Sequence, residues 1–175
     1  RDNIYAIEKK RLDDLANERQ EAKKYIDVKK AKANAAAYND LHLPEQALNL
    51  AQRIENAQPD NTYIHVIRGN SYAELGDFDK ALKECNLALA SGNQTPDLLI
   101  SRAKIYYLMG NNDAALADCS SALHLDTNLE YAYKLQANIF NQQGNHEAAL
   151  KSYKKYKYLE PAATDIPEEY LSEMN

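Results

Sequence analysis

The sequence predicts an all-α chain: a superhelical solenoid of four helix pairs, preceded by an N-terminal helix and closed by a short C-terminal capping helix. Three observations carry that expectation. The stretch Gly69 to Leu82 returns 34 residues later as Ala103 to Leu116 and again as Ala137 to Leu150, and one step back it reads Ala35 to Leu48. A fixed period of this length marks an array of helical units, each burying its face against its neighbours. Within the period one position is alanine every time (Ala47, Ala81, Ala115, Ala149), opposite Ala35, Gly69, Ala103 and Ala137 on the preceding helix. Close-packed interiors tolerate little added volume, so such a row marks where two helices touch. Finally, Gly76, Gly110 and Gly144 are followed by Asp77, Asn111 and Asn145, the residue types that end one helix and start the next.

Taken in order, residues 1–27 hold no Gly or Pro, and Ile4, Ile7, Leu15, Ala22 and Ile26 recur near the helical period. This predicts a long charged helix, open to continuing into the first unit. Arg11 and Glu18 interrupt its apolar stripe, so a cap over the array's exposed end is expected ahead of a coiled-coil arm. The first unit, residues 28–61, diverges: His42 stands in the turn-glycine position, Pro44 opens the second helix, and the first helix is rich in alanine. Residues 62–95 and 96–129 follow the pattern best. In 130–163 the bulky Tyr153 and Tyr156 stand at the far end, Tyr156 in the role that earlier units give to Ile54, Ala88 and Ala122. A fifth unit would be obstructed. Residues 164–175 are expected to form the cap, with Asp165 capping a short helix whose Ile166, Tyr170 and Leu171 cover those tyrosines.

The space between paired helices is filled by Tyr38, Tyr72, Tyr106 and Phe140, and sealed by Leu48, Leu82, Leu116 and Leu150. Several independent roles thus recur at one spacing. The set resembles the tetratricopeptide repeat family over about residues 28–163. The resemblance implies a right-handed superhelix with the first helices of each pair lining a concave groove. It also implies a non-catalytic protein–protein interaction scaffold holding a partner peptide or helix there. A structural assembly subunit acting through the N-terminal helix or the convex face is the alternative.

Carried over position by position, the partner-binding groove would draw Lys32 and Asn39 from the first unit and Tyr63, Val66, Ile67 and Asn70 from the second. The third would add Ile100, Ser101, Lys104 and Tyr107, and the fourth Tyr131, Lys134 and Asn138. Amide side chains of this kind satisfy a partner's backbone, and aromatic groups anchor its side chains; the alternative for Val66, Ile67, Ile100 and Tyr131 is packing on one another or under a terminal helix. The family's dicarboxylate clamp for acidic chaperone C-termini needs Lys and Asn, then Asn, then Lys and Arg on three successive helices. One register offers Lys32, Ala36, Ile67, Asp97 and Ser101, the next Val66, Asn70, Ser101, Tyr131 and Leu135. Neither fits, so an acidic chaperone tail is not the expected partner.

Composition narrows the classes further. The net charge of −5 argues against a general nucleic-acid or anionic-membrane surface, and no apolar run is long enough for a transmembrane helix. Lys151, Lys154, Lys155 and Lys157 interleave with Tyr153, Tyr156 and Tyr158, but helical spacing sends the two sets to different faces. No phosphate loop, nucleophile elbow or zinc spacing occurs, and the four histidines fall at four different repeat roles. No enzyme activity, metal or cofactor is expected. Cys85 and Cys119 lie 34 residues apart in one core role, about 10 Å from each other and too far for a disulfide. They suit a reducing compartment and so favour the cytoplasm. Because the chain opens with Arg1 rather than Met, it reads as trimmed, and periplasmic or secreted locations stay open.

Overall fold

A glycine, or a residue forced to act like one, ends the first helix of every pair, and these turns organise the molecule. The computed structural model describes residues 2–174, although the side chains of residues 2–6, 22–28, 32, 36, 39 and 40 lie outside the described residues. The helices run in order as α1 (Asp2–Asp40), α2 (Pro44–Ala57), α3 (Tyr63–Glu74), α4 (Phe78–Ala90) and α5 (Pro96–Leu108). They continue as α6 (Asn112–Leu125), α7 (Glu130–Gln142), α8 (His146–Leu159) and α9 (Glu168–Ser172). No strand occurs among the described residues. At 39 residues α1 is one uninterrupted helix, about 58 Å long by the usual rise per residue. Its C-terminal end serves as the first helix of the first pair.

The four turns within pairs share one hydrogen bond. The carbonyls of Tyr38, Tyr72, Tyr106 and Phe140 accept from the backbone N–H of Leu43, Asp77, Asn111 and Asn145, at 2.8–2.9 Å. This six-to-one bond requires the intervening residue to be left-handed. Gly110 meets that need with φ of +76°, and His42 adopts +54° at the matching place in the first pair. The next helices then start on side-chain caps: Asp77 accepts from Lys80 N, Asn111 from Ala114 N, and Asn145 from Ala148 N. Leu43 caps nothing at the start of α2, where Pro44 occupies the first turn instead.

Ala47, Ala81, Ala115 and Ala149 are completely buried between paired helices, which is why the position stays small. In the second pair a Cβ built on Gly69 would lie 2.9 Å from Cys85 Sγ. Three of the core clusters join one pair to the next, and the fourth joins the last pair to the C-terminal segment. Ile67 of α3, for example, packs with Ala31 and Ala35 of α1 and with Leu50 and Ile54 of α2. Cys85 and Cys119 are fully buried free thiols, and burial pushes each up to about 12. The third pair is also crossed by an ion pair: Arg102 donates to both carboxylate oxygens of buried Asp118, at 2.7 and 2.8 Å.

The array ends on its C-terminal segment. Ile166 and Tyr170 pack with Tyr153 and Tyr156 in one buried cluster with Leu171 beside it, the cover expected from the sequence. Asp165 does not cap the helix, however. Pro167 occupies the cap position of α9 and makes no side-chain cap bond. Asp165 instead accepts from Tyr156 Oη at 2.9 Å and pairs with Lys134, because a nearby buried hydroxyl and a cation outcompete exposed amide donors. His146 was not foreseen in this role: its ring stacks on Tyr170 with centroids 4.6 Å apart, and it bonds Glu173 at 2.7 Å.

Candidate binding groove

First helices touch first helices along the array (α1 with α3, α3 with α5, α5 with α7), while second helices make no comparable contact among the described residues. A stack whose first helices are crowded and whose second helices splay is concave on the first-helix side. The wall therefore consists of α3, α5 and α7, with the C-terminal end of α1 at one margin and the cap at the other.

All but Lys134 and Asn138 of the expected groove residues divide into three sets. Ile67, Val66 and Ser101 are buried, at 1%, 7% and 5% exposure. Ile67 belongs to the core shared with α1 and α2, and Val66 to the core shared with α4 and α5. These three lie beneath the wall rather than on it: Val66 and Ile67 stand three or four residues from Tyr63 and Asn70, but neighbouring helices pack over them, while Ser101 is turned inward one residue after Ile100. Tyr63, Asn70, Ile100, Lys104 and Tyr107 are half-buried on α3 and α5, and Tyr131 on α7 is 38% exposed. Burial, with the Asp97 charge adding to it, pushes the Tyr63 phenol above its ordinary value. Lys32 and Asn39 have side chains outside the described residues.

The α7 part of the wall is already engaged. Lys134 pairs with Asp165 and lies 5.8 Å above the rings of both Tyr131 and Tyr156. Asn138 accepts from Tyr153 Oη, and Asn141 accepts from Tyr170 Oη, each at 2.8 Å. Tyr107 reaches across from α5, its oxygen accepting from Gln142 Nε2 at 2.8 Å. The cap thus ties down the last helix of the wall, and among the described residues its packing stops short of α3 and α5.

Two wall residues outside the sequence expectation complete that stretch. Gln142 holds Tyr107. Glu74, at the end of α3, lies 3.8 Å from Lys104 Nζ and 3.7 Å from His42 Nδ1. The signal that could have found Glu74 is its spacing of four from Asn70, which places both on one helix face. Among the described residues no group of three or more His, Cys, Asp or Glu gathers as a metal site would require. No described helix is long and apolar enough to cross a membrane.

A family model described as a tetratricopeptide repeat matches residues 31–96 and 100–165. No curated protein matches the chain. Solved structures of the same fold include TTC0263, described as a thermophilic TPR protein in Thermus thermophilus, with a TM-score of 0.67 at 22% identity over 79% of this chain and 76% of that one. MamA is another, with a TM-score of 0.57 at 16% identity over 73% of this chain and 74% of that one. At such identities the likeness is one of fold. The family match spans well over half of the sequence; the chain belongs to the tetratricopeptide repeat family.

Proposed function

We propose that the protein is a non-catalytic scaffold holding an extended or helical segment of another protein in its concave groove. Arrays of this family are in general protein-interaction scaffolds. The finer reading is supported chiefly by the wall over α3 and α5, which the described residues of the chain's termini leave open. There Tyr63, Ile100 and Tyr107 are half-buried, and Leu108 stands 46% exposed beside them. Half-exposed aromatic and aliphatic groups fixed on rigid helices make low-entropy anchors for a partner.

The test is selection from a random displayed peptide library on the whole chain, followed by binding measurements with the selected peptides. Leu108→Arg and Tyr107→Ala, both on that stretch, should each weaken the selected peptides about tenfold or more while the melting temperature hardly moves. Peptides indifferent to both changes would bind elsewhere, and the groove reading would fail.

A second reading is favoured by one observation. Residues 7–21 of α1 are all exposed, and Ile7, Leu12 and Leu15 are 62%, 66% and 43% exposed among them. A structural subunit assembling through this helix would change its mass in light scattering when residues 1–27 are deleted. An unchanged mass removes that reading.

A further inference from the structure

We infer that the segment held in the groove presents a basic side chain, arginine above lysine, to an acceptor site formed by Asn70 and Glu74; this rests on the groove reading above. The two residues lie one turn apart on the same face of α3. Asn70 Oδ1 and both carboxylate oxygens of Glu74 are buried, and none accepts a hydrogen bond. The Glu74 side chain is only 12% exposed. Among the described residues the ring nitrogen His42 Nδ1 at 3.7 Å and the ammonium Lys104 Nζ at 3.8 Å both approach Oε1 from beyond hydrogen-bonding distance.

Buried polar atoms are ordinarily met by partners, because an unmet acceptor costs more than a formed bond returns. Three other carboxylates that lie between elements obey that rule. Asp118 takes two bonds from Arg102, Glu55 takes two from Arg68, and Asp165 is met by Tyr156 and Lys134. Glu74 is the exception, and it stands on the stretch of wall that the cap does not reach. Three unmet acceptor oxygens at one place, two of them on a carboxylate, call for a cationic donor with several N–H groups.

A guanidinium suits this site best. Its planar fork carries five donors and can span a carboxylate and an adjacent amide oxygen, whereas an ammonium offers fewer donors and no fixed plane. The groups that must yield are those loosely seated over Glu74. Lys104 is 29% exposed on a long flexible stem, and His42 is 85% exposed. An acidic residue arriving at the same place would face the Glu74 charge and leave all three acceptors unmet.

The experiment uses the whole chain and peptides selected from the random displayed library. Those that lose binding on Leu108→Arg are aligned and remeasured by fluorescence anisotropy. The expected result is an arginine or lysine at one shared position, whose replacement by norleucine weakens binding about tenfold or more. Glu74→Gln, which keeps size and shape, should cost the basic peptide a similar factor and leave the norleucine peptide unchanged. The norleucine comparison on the unaltered protein holds even if Glu74→Gln folds poorly. Groove-bound peptides without a basic preference, or a basic preference indifferent to Glu74→Gln, would overturn this inference alone. A selection yielding no peptide sensitive to Leu108→Arg would overturn it together with the groove reading.

Discussion

His42 adopts a φ of +54° at a turn where the third pair places Gly110 at +76°. A side chain in this region costs roughly 1–2 kcal/mol, while glycine also loses more freedom on folding. His42→Gly is therefore expected to stabilise the chain by about 0.5–1 kcal/mol, and Gly110→Ala to destabilise it by about 1 kcal/mol. No atom within 4 Å would meet the new Cβ at Gly110, so that second effect is purely conformational. Denaturant titration of the two variants checks the opposite signs. Gly69 presents another case, since its φ is not positive and its constraint is space. Gly69→Ala in a Cys85→Ala background should gain about 1 kcal/mol from helix propensity. In the unaltered chain the 2.9 Å approach to Sγ should cancel most of that gain, so a double-mutant cycle should show coupling. Equal effects in both backgrounds would mean that Cys85 does not set the size limit. The turn role of position 42 was legible from its spacing. That Gly69 is held small by a sulfur on the partner helix was not, because that contact exists only once α4 lies across α3.

Between elements, the charged contacts decide more than their number suggests. Arg102 holds Asp118 across the third pair, and the Asp118 side chain is 8% exposed. The hydrogen bond to Asp118, against an opposing effect of burial, keeps the Arg102 guanidinium above its ordinary value. Removing the arginine alone strands a buried charge, so Arg102→Ala should cost about 3–5 kcal/mol. The fourth pair places Gln136 and Ser152 at the corresponding positions, and importing both into the third pair should cost far less than the single change. Urea unfolding of the two variants makes the comparison.

The cap carries a pH dependence. Burial pushes the Asp165 carboxyl up, but hydrogen bonds from Lys134 and Tyr156 outweigh it and hold the group below its ordinary value. A carboxyl lowered in the folded state contributes stability above its unfolded value, about 3.9, and loses it as pH falls through the folded value. Melting temperature should thus fall below about pH 4, and Asp165→Asn should flatten part of that fall. An unchanged acid slope would show that Asp165 does not tie the cap to Lys134. From the sequence the apolar half of this cap was readable, since Ile166 and Tyr170 needed a surface and Tyr153 and Tyr156 offered one. The polar half was not: whether Asp165 meets a helix start or a neighbouring tyrosine depends on distances that chain order does not contain.

Across the whole molecule, each pair is stabilised by its neighbours, so the ends and the middle should differ. The third pair has pairs on both sides, and its second helix starts on a side-chain cap. The first pair has a left-handed histidine, no side-chain cap on α2, and a pair on one side only. Hydrogen exchange should be slowest in α5 and α6 and markedly faster in α2, with α8 protected by the C-terminal segment packed on it. Uniform protection along the chain would mean that it unfolds as one unit.

The sequence alone determined the helical repeat array, the turns within its pairs, and the small residues between paired helices. Those features are local or repeat at a fixed spacing, and helix packing forces them wherever the spacing holds. Only the tertiary structure decided which first-helix residues face the groove. Ile67 and Asn70 sit three apart on one helix, yet the core takes Ile67, while Asn70 stays at the wall. It also decided that the cap consumes the α7 wall and that Glu74 is left without a donor. These depend on how one pair is rotated against the next, and that rotation is set by contacts between residues some 34 positions apart.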